Sequence, residues 1–101
     1  MENINKVLSN LFEEKFSELP AEINLIPGGV SDRKIYRLKS GNHTSIGIFN
    51  KKVKENIAFI EFTKTFKKHN LNVPEIYIKS SDNKFYLEED LGNKSLFNVI
   101  N

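Results

Sequence analysis

Sixteen consecutive residues, Lys54 to His69, contain neither glycine nor proline, and within them Phe59, Phe62 and Phe66 recur at i, i+3 and i+7. That spacing is one face of a helix, ending near Asn70 and Asn72. A second helical pattern opens the chain. Ile4, Val7, Leu8, Leu11, Phe12 and Phe16 predict an amphipathic helix over residues 3–17, closed ahead of Pro20, which disfavours helix at Leu19. Between the two patterns, turn residues cut the chain into short apolar runs. Ile23, Leu25 and Val30 flank Pro27-Gly28-Gly29, and Ile35, Tyr36 and Leu38 follow, so residues 22–39 predict a hairpin. Ser40 to His43 is a second turn, and residues 44–50 form a third strand antiparallel to the second. Beyond the long helix, residues 75–79 and 84–89 predict two more strands around Ser80-Ser81-Asp82-Asn83, and residues 94–101 open another helix. The expected fold class is α+β: a five-stranded antiparallel sheet with one crossing helix and an N-terminal helix, one domain over residues 1–101.

At 101 residues the chain is long enough for one modest core. Its 15 basic and 13 acidic residues leave a formal charge of +2, a balance that demands neither nucleic acid nor an anionic membrane as partner. The absence of cysteine removes disulfides, thiolate metal sites and cysteine nucleophiles together. The opening Met1-Glu2-Asn3-Ile4-Asn5 has no basic region ahead of an apolar core, as a secretory signal has. No apolar run approaches the roughly 20 residues of a membrane span. These features predict a cytoplasmic protein. His43 falls in a turn and His69 near a helix end, neither with ligand company, so both are expected at the surface and no metal site is expected. The lysines at 51–54 and 64–68 predict a solvated helix face rather than a weak nucleic-acid surface.

Three stretches stand out from this plain background. They are Gly28-Gly29-Val30-Ser31-Asp32-Arg33 leading to Tyr36-Arg37; Glu55-Asn56-Ile57-Ala58-Phe59; and Val73-Pro74-Glu75-Ile76 followed by Tyr86-Leu87-Glu88-Glu89-Asp90-Leu91-Gly92. In this order and on these predicted elements, they resemble the N-terminal lobe of the aminoglycoside phosphotransferase and choline kinase-like family of small-molecule kinases, over roughly residues 25–97.

The resemblance implies that the glycine turn covers the phosphates of ATP or GTP bound with Mg²⁺. Gly28 and Gly29 would let backbone N–H groups approach phosphate oxygens. Ser31 would add a hydroxyl donor and Arg33 a planar cation, with Asp32 capping the turn or holding Arg33. Locally, an ordinary two-glycine hairpin accounts for the same residues. The resemblance also implies that the last strand runs into a hinge whose backbone binds adenine. Leu87 would stand at the gate of the adenine pocket, with Glu88 and Asp90 as main-chain partners. The alternative for three consecutive acids is a charged edge strand that discourages strand addition.

A kinase lobe further requires a lysine on the third strand, paired with a helix glutamate. Here the strand reads Ile46-Gly47-Ile48-Phe49-Asn50 and the first lysine, Lys51, comes after it. Lys51 would serve only if the strand ran one residue longer; otherwise it is a loop lysine, and Arg33 or Arg37 would carry that charge instead. For the glutamate, Glu55 shares the stripe of Phe59 and Phe62, whereas family spacing points nearer Glu61. The catalytic and metal-binding acids of the family belong to a C-terminal lobe, and no such motif precedes Asn101. The expectation is therefore a fragment or truncated product: a nucleotide-binding lobe, inactive alone, whose partners are the nucleotide and a C-terminal kinase lobe. The rival expectation is an interaction domain that forms homo-oligomers through Leu96, Phe97 and Ile100.

Overall fold

The first helix begins where the sequence supplies a cap. Asn3 stays extended, and its side-chain oxygen accepts the Lys6 amide at 3.1 Å, starting α1 (Ile4–Phe16). Ser17 ends it in the left-handed region at φ 62°, its amide donating to the Glu13 carbonyl at 2.8 Å. The computed structural model describes residues 3–27 and 33–92. The remaining elements, in chain order, are β1 (Glu22–Ile26), β2 (Arg33–Lys39), β3 (Thr44–Asn50), α2 (Val53–Lys68), β4 (Ile76–Lys79) and β5 (Phe85–Glu88). The fold is α+β, with every neighbouring pair of strands antiparallel and the sheet in the order β1-β2-β3-β5-β4. Gly28, Gly29 and Ser31 lie outside the described residues, as do the helix expected over 94–101 and its Leu96, Phe97 and Ile100.

Strand alternation gives the sheet two buried faces. On one, Leu38, Phe49, Phe85 and Leu87 pack against Leu8, Leu11 and Phe12 of α1. On the other, Ile35, Ile46, Ile48 and Tyr86 meet Ile60 of α2, with Phe59 and Ile76 at the margin. Each fully buried leucine or phenylalanine contributes roughly 1.5–3 kcal/mol, so the two helices hold the sheet from opposite sides.

Three sequence expectations change. β5 lies between β3 and β4, so its acids guard no sheet edge. α2 turns Asn56, Ile60 and Thr63 inward rather than its phenylalanine stripe. Phe62 is 51% exposed, its ring packed on Phe66 at 4.0 Å between centroids. The cause is the Asn56 amide, which donates to the Asn50 carbonyl at 3.0 Å and the Asn83 carbonyl at 2.7 Å. Satisfying the buried Asn50 carbonyl and the part-buried Asn83 carbonyl fixes the helix's rotation, because leaving them unpaired costs more than a half-exposed ring. His43, expected at the surface, is half-buried and stacks on Phe16 at 4.4 Å, while His69 is exposed. Among the described residues no helix is long and apolar enough to cross a membrane.

Candidate functional site

The acids Glu88-Glu89-Asp90 leave the central strand β5 and take three different partners. Glu88 shares the α2 face of the sheet with Tyr86 and is 5% exposed. Burial pushes its carboxyl up to about 8, while the charge of Arg33 pulls the other way. The same burial raises the Tyr86 hydroxyl, with Glu88 adding to the shift and Arg33 opposing it. The Glu88 carbonyl accepts the Ser45 hydroxyl at 2.9 Å.

Glu89 faces the segment that leads into β4. Its carboxylate accepts the Glu75 amide at 3.2 Å, its own amide donates to the Glu75 carbonyl at 2.8 Å, and Lys67 Nζ lies 3.8 Å away. Asp90 accepts two bonds from Arg37, from Nε at 2.9 Å and Nη2 at 3.3 Å, and a third from the Gly92 amide at 2.8 Å. Gly92 sits at φ 65°, a conformation open to glycine, which lets the chain turn back onto that carboxylate.

The other end of the same face is built around the junction of β3 with α2. Arg33, the first residue of β2, pairs with Asn50, the last of β3. Asn50 is buried; its amide donates to Glu55 Oε1 at 3.2 Å and its side-chain oxygen accepts the Lys52 amide at 3.1 Å. Glu55 stands in the first turn of α2, where a carboxylate complements the helix dipole. It also lies 3.8 Å from Lys52 Nζ. It is more than half exposed, so it does not share the buried stripe that the sequence suggested. Glu61 is exposed as well.

The structure thus divides the expected site residues. Arg33 and Glu88 interact on one face, Glu55 closes one end of it, and Asp90 closes the other. Arg33 and Arg37 stand four positions apart on β2, about 14 Å along the strand. Leu87 is not brought together with them: its side chain is fully buried on the opposite face, against α1. Gly28, Gly29 and Ser31 are outside the described residues. Asn50 and Ser45 complete the arrangement without any motif having pointed to them, and Asn56 does so from within the Glu55–Phe59 stretch. Among the described residues no group of three histidines, cysteines or acids could hold a metal ion. No protein-family model and no curated protein matches the chain.

Proposed function

We propose that this chain is the nucleotide-binding lobe of a cytoplasmic small-molecule phosphotransferase of the aminoglycoside phosphotransferase or choline kinase-like type. It binds ATP or GTP, is inactive alone, and works with a catalytic C-terminal lobe on the hydroxyl of a sugar, aminoglycoside-like compound or amino alcohol. One observation carries the reading: the strand order β1-β2-β3-β5-β4 with α2 inserted between β3 and β4. That connectivity puts Arg33 and Glu55 toward one end of a single sheet face and the exit from β5 toward the other. A nucleotide along this face would direct its purine toward the backbone around Glu88 and Asp90 and its phosphates toward Arg33.

Between the two ends Ile35, Ile46 and Ile48 are buried against Ile60 of α2, so a nucleotide would lie along the margin of this face, where the Arg33 cation suits phosphate. Asn50 stands at the end of β3 in place of a lysine, and its side chain is committed to the Lys52 amide and the Glu55 carboxylate. The phosphate charge therefore falls to Arg33. Magnesium would neutralise the transferring phosphates, with its ligands supplied by the C-terminal lobe.

The test is a titration of isotope-labelled chain with Mg-ATP and Mg-GTP, followed through its amide resonances, which register even millimolar affinities. Shifts concentrated at Arg33, Glu55 and Glu88 to Asp90, and weakened by Arg33→Ala, are the expected result. Saturating nucleotide that leaves those resonances unmoved removes the proposal. A second reading, an interaction domain, draws on the exposed Phe62 beside Phe66. It requires a concentration-dependent dimer in sedimentation that Phe62→Ser abolishes.

A further inference from the structure

The geometry points to a second binding site, for a small organic anion, in the cavity between the C-terminal half of α2 and the segment entering β4. The cavity measures about 390 Å³ and is lined by Thr63, Lys64, Lys67 and Lys68 from the helix and by Pro74 to Ile76 opposite. That volume falls within the range of small-ligand pockets. Its walls are chiefly apolar, as the Pro74 ring, Ile76 and the hydrocarbon stems of the lysines supply.

The charges are unequally matched. Lys67 is tied down, donating to the Val73 carbonyl at 3.1 Å and lying 3.8 Å from Glu89, so it serves as a wall. Lys64 and Lys68 are one helical turn apart, an arrangement that repels unless an anion intervenes. Neither makes an ion pair among the described residues. The only carboxylate in the lining is that of Glu75. A second observation is independent of the lysines. Thr63 lines the cavity, is 2% exposed, and its hydroxyl has no hydrogen-bond partner. A helical threonine ordinarily donates to the carbonyl four residues back, and buried hydroxyls are rarely left unpaired.

An apolar ring or short chain bearing a phosphate, sulfonate or carboxylate answers all three features. The apolar body fills the cavity, the head group bridges Lys64 and Lys68, and the Thr63 hydroxyl donates to it. Thr63, Lys64 and Lys68 are not among the residues assigned to the nucleotide, so either assignment stands or falls without the other.

The experiment titrates the labelled chain with 2-naphthyl phosphate and, in parallel, with the uncharged 2-naphthol. Amide shifts should cluster at residues 63–68 and at Glu75 and Ile76. The phosphate should bind at least tenfold more tightly than the naphthol, an advantage that fades with added salt. Lys64→Glu/Lys68→Glu should raise its Kd at least tenfold, and the nearly isosteric Thr63→Val a few-fold, with the circular dichroism of both variants unchanged. Should the charge reversal disturb the fold, Lys64→Ala/Lys68→Ala replaces it, with the same loss expected. Equal affinity for the naphthol, an unaltered Kd in the folded lysine variant, or shifts centred elsewhere would overturn the site.

Discussion

Arg37 of β2 and Asp90 beyond β5 meet in a two-point ion pair, Nε to Oδ2 at 2.9 Å and Nη2 to Oδ1 at 3.3 Å, and so join residues 53 positions apart in sequence. Side-chain exposure is 30% for Arg37 and 8% for Asp90. The fork geometry matches guanidinium to carboxylate, and the pair pins the segment leaving β5 to the neighbouring face of the sheet. Removing one partner leaves the other partly desolvated, although solvent around Arg37 softens the loss. Asp90→Ala should cost about 1–3 kcal/mol in urea denaturation. The double variant with Arg37→Met should cost clearly less than the two single losses added. Simple additivity would mean that the contact holds nothing.

Asn56 ties the start of α2 to two carbonyls, the buried one of Asn50 and the part-buried one of Asn83. Asn56→Ala strands the carbonyls of Asn50 and Asn83 and should cost about 2–3 kcal/mol. Asn56→Asp should be worse, because an ionised carboxylate repels both acceptors. Asn83 itself sits at φ 62°, so Asn83→Gly should stay close to wild-type stability. Chemical denaturation of the three variants gives this ranking, and an Asp variant as stable as wild type contradicts it.

These cases mark what the sequence made legible. The turn residues and apolar periods placed both helices and all five strands within a residue or two, because glycine, proline and strand alternation act locally. The rotation of α2 did not follow from its phenylalanines, since it is set by one amide bonding to carbonyls 6 and 27 positions away. Likewise nothing local places β5 at the centre of the sheet, where pairing with β3 on one side and β4 on the other turns an apparent charged edge into a buried carboxyl. Arg33, Glu55, Glu88 and Asp90 are legible from the motif-bearing stretches. Asn50 and Ser45 are not, because a polar side chain that bonds its neighbours' backbone carries no periodic signal.

Gly47 lies where the sheet and α1 touch. A Cβ built on it would meet Leu38 Cδ1 at 2.8 Å and both Leu8 δ-methyls at 3.1 Å. Both leucines are fully buried, so their methyl groups have little room to withdraw. Gly47→Ala should therefore destabilise by about 1–3 kcal/mol despite alanine's lower backbone entropy. Combined with Leu38→Val, which draws the obstructing methyl back, the loss should be smaller than the sum of the two. A thermal shift for Gly47→Ala that is upward, or a strictly additive double variant, rules out the overpacking account.

Glu88 makes stability depend on pH with a sign opposite to that of a paired carboxylate. Folded, its carboxyl is pushed up to about 8 by burial, against an ordinary 4.5 when the chain unfolds. Between those values the folded state holds the proton that the unfolded state has released, so stability falls as pH rises through the window. Below it both states are protonated and the neutral acid imposes no charge on the interior; above it both are ionised and the full desolvation cost remains. Glu88→Gln keeps the neutral form at every pH. The variant should match wild type near pH 4.5 and surpass it progressively toward pH 8, as read from urea midpoints across that range. Arg33→Met withdraws the charge that favours the carboxylate, so its decline with pH should continue to higher pH before levelling. Parallel profiles for all three proteins would place the Glu88 carboxyl in water and dissolve the coupling with Arg33.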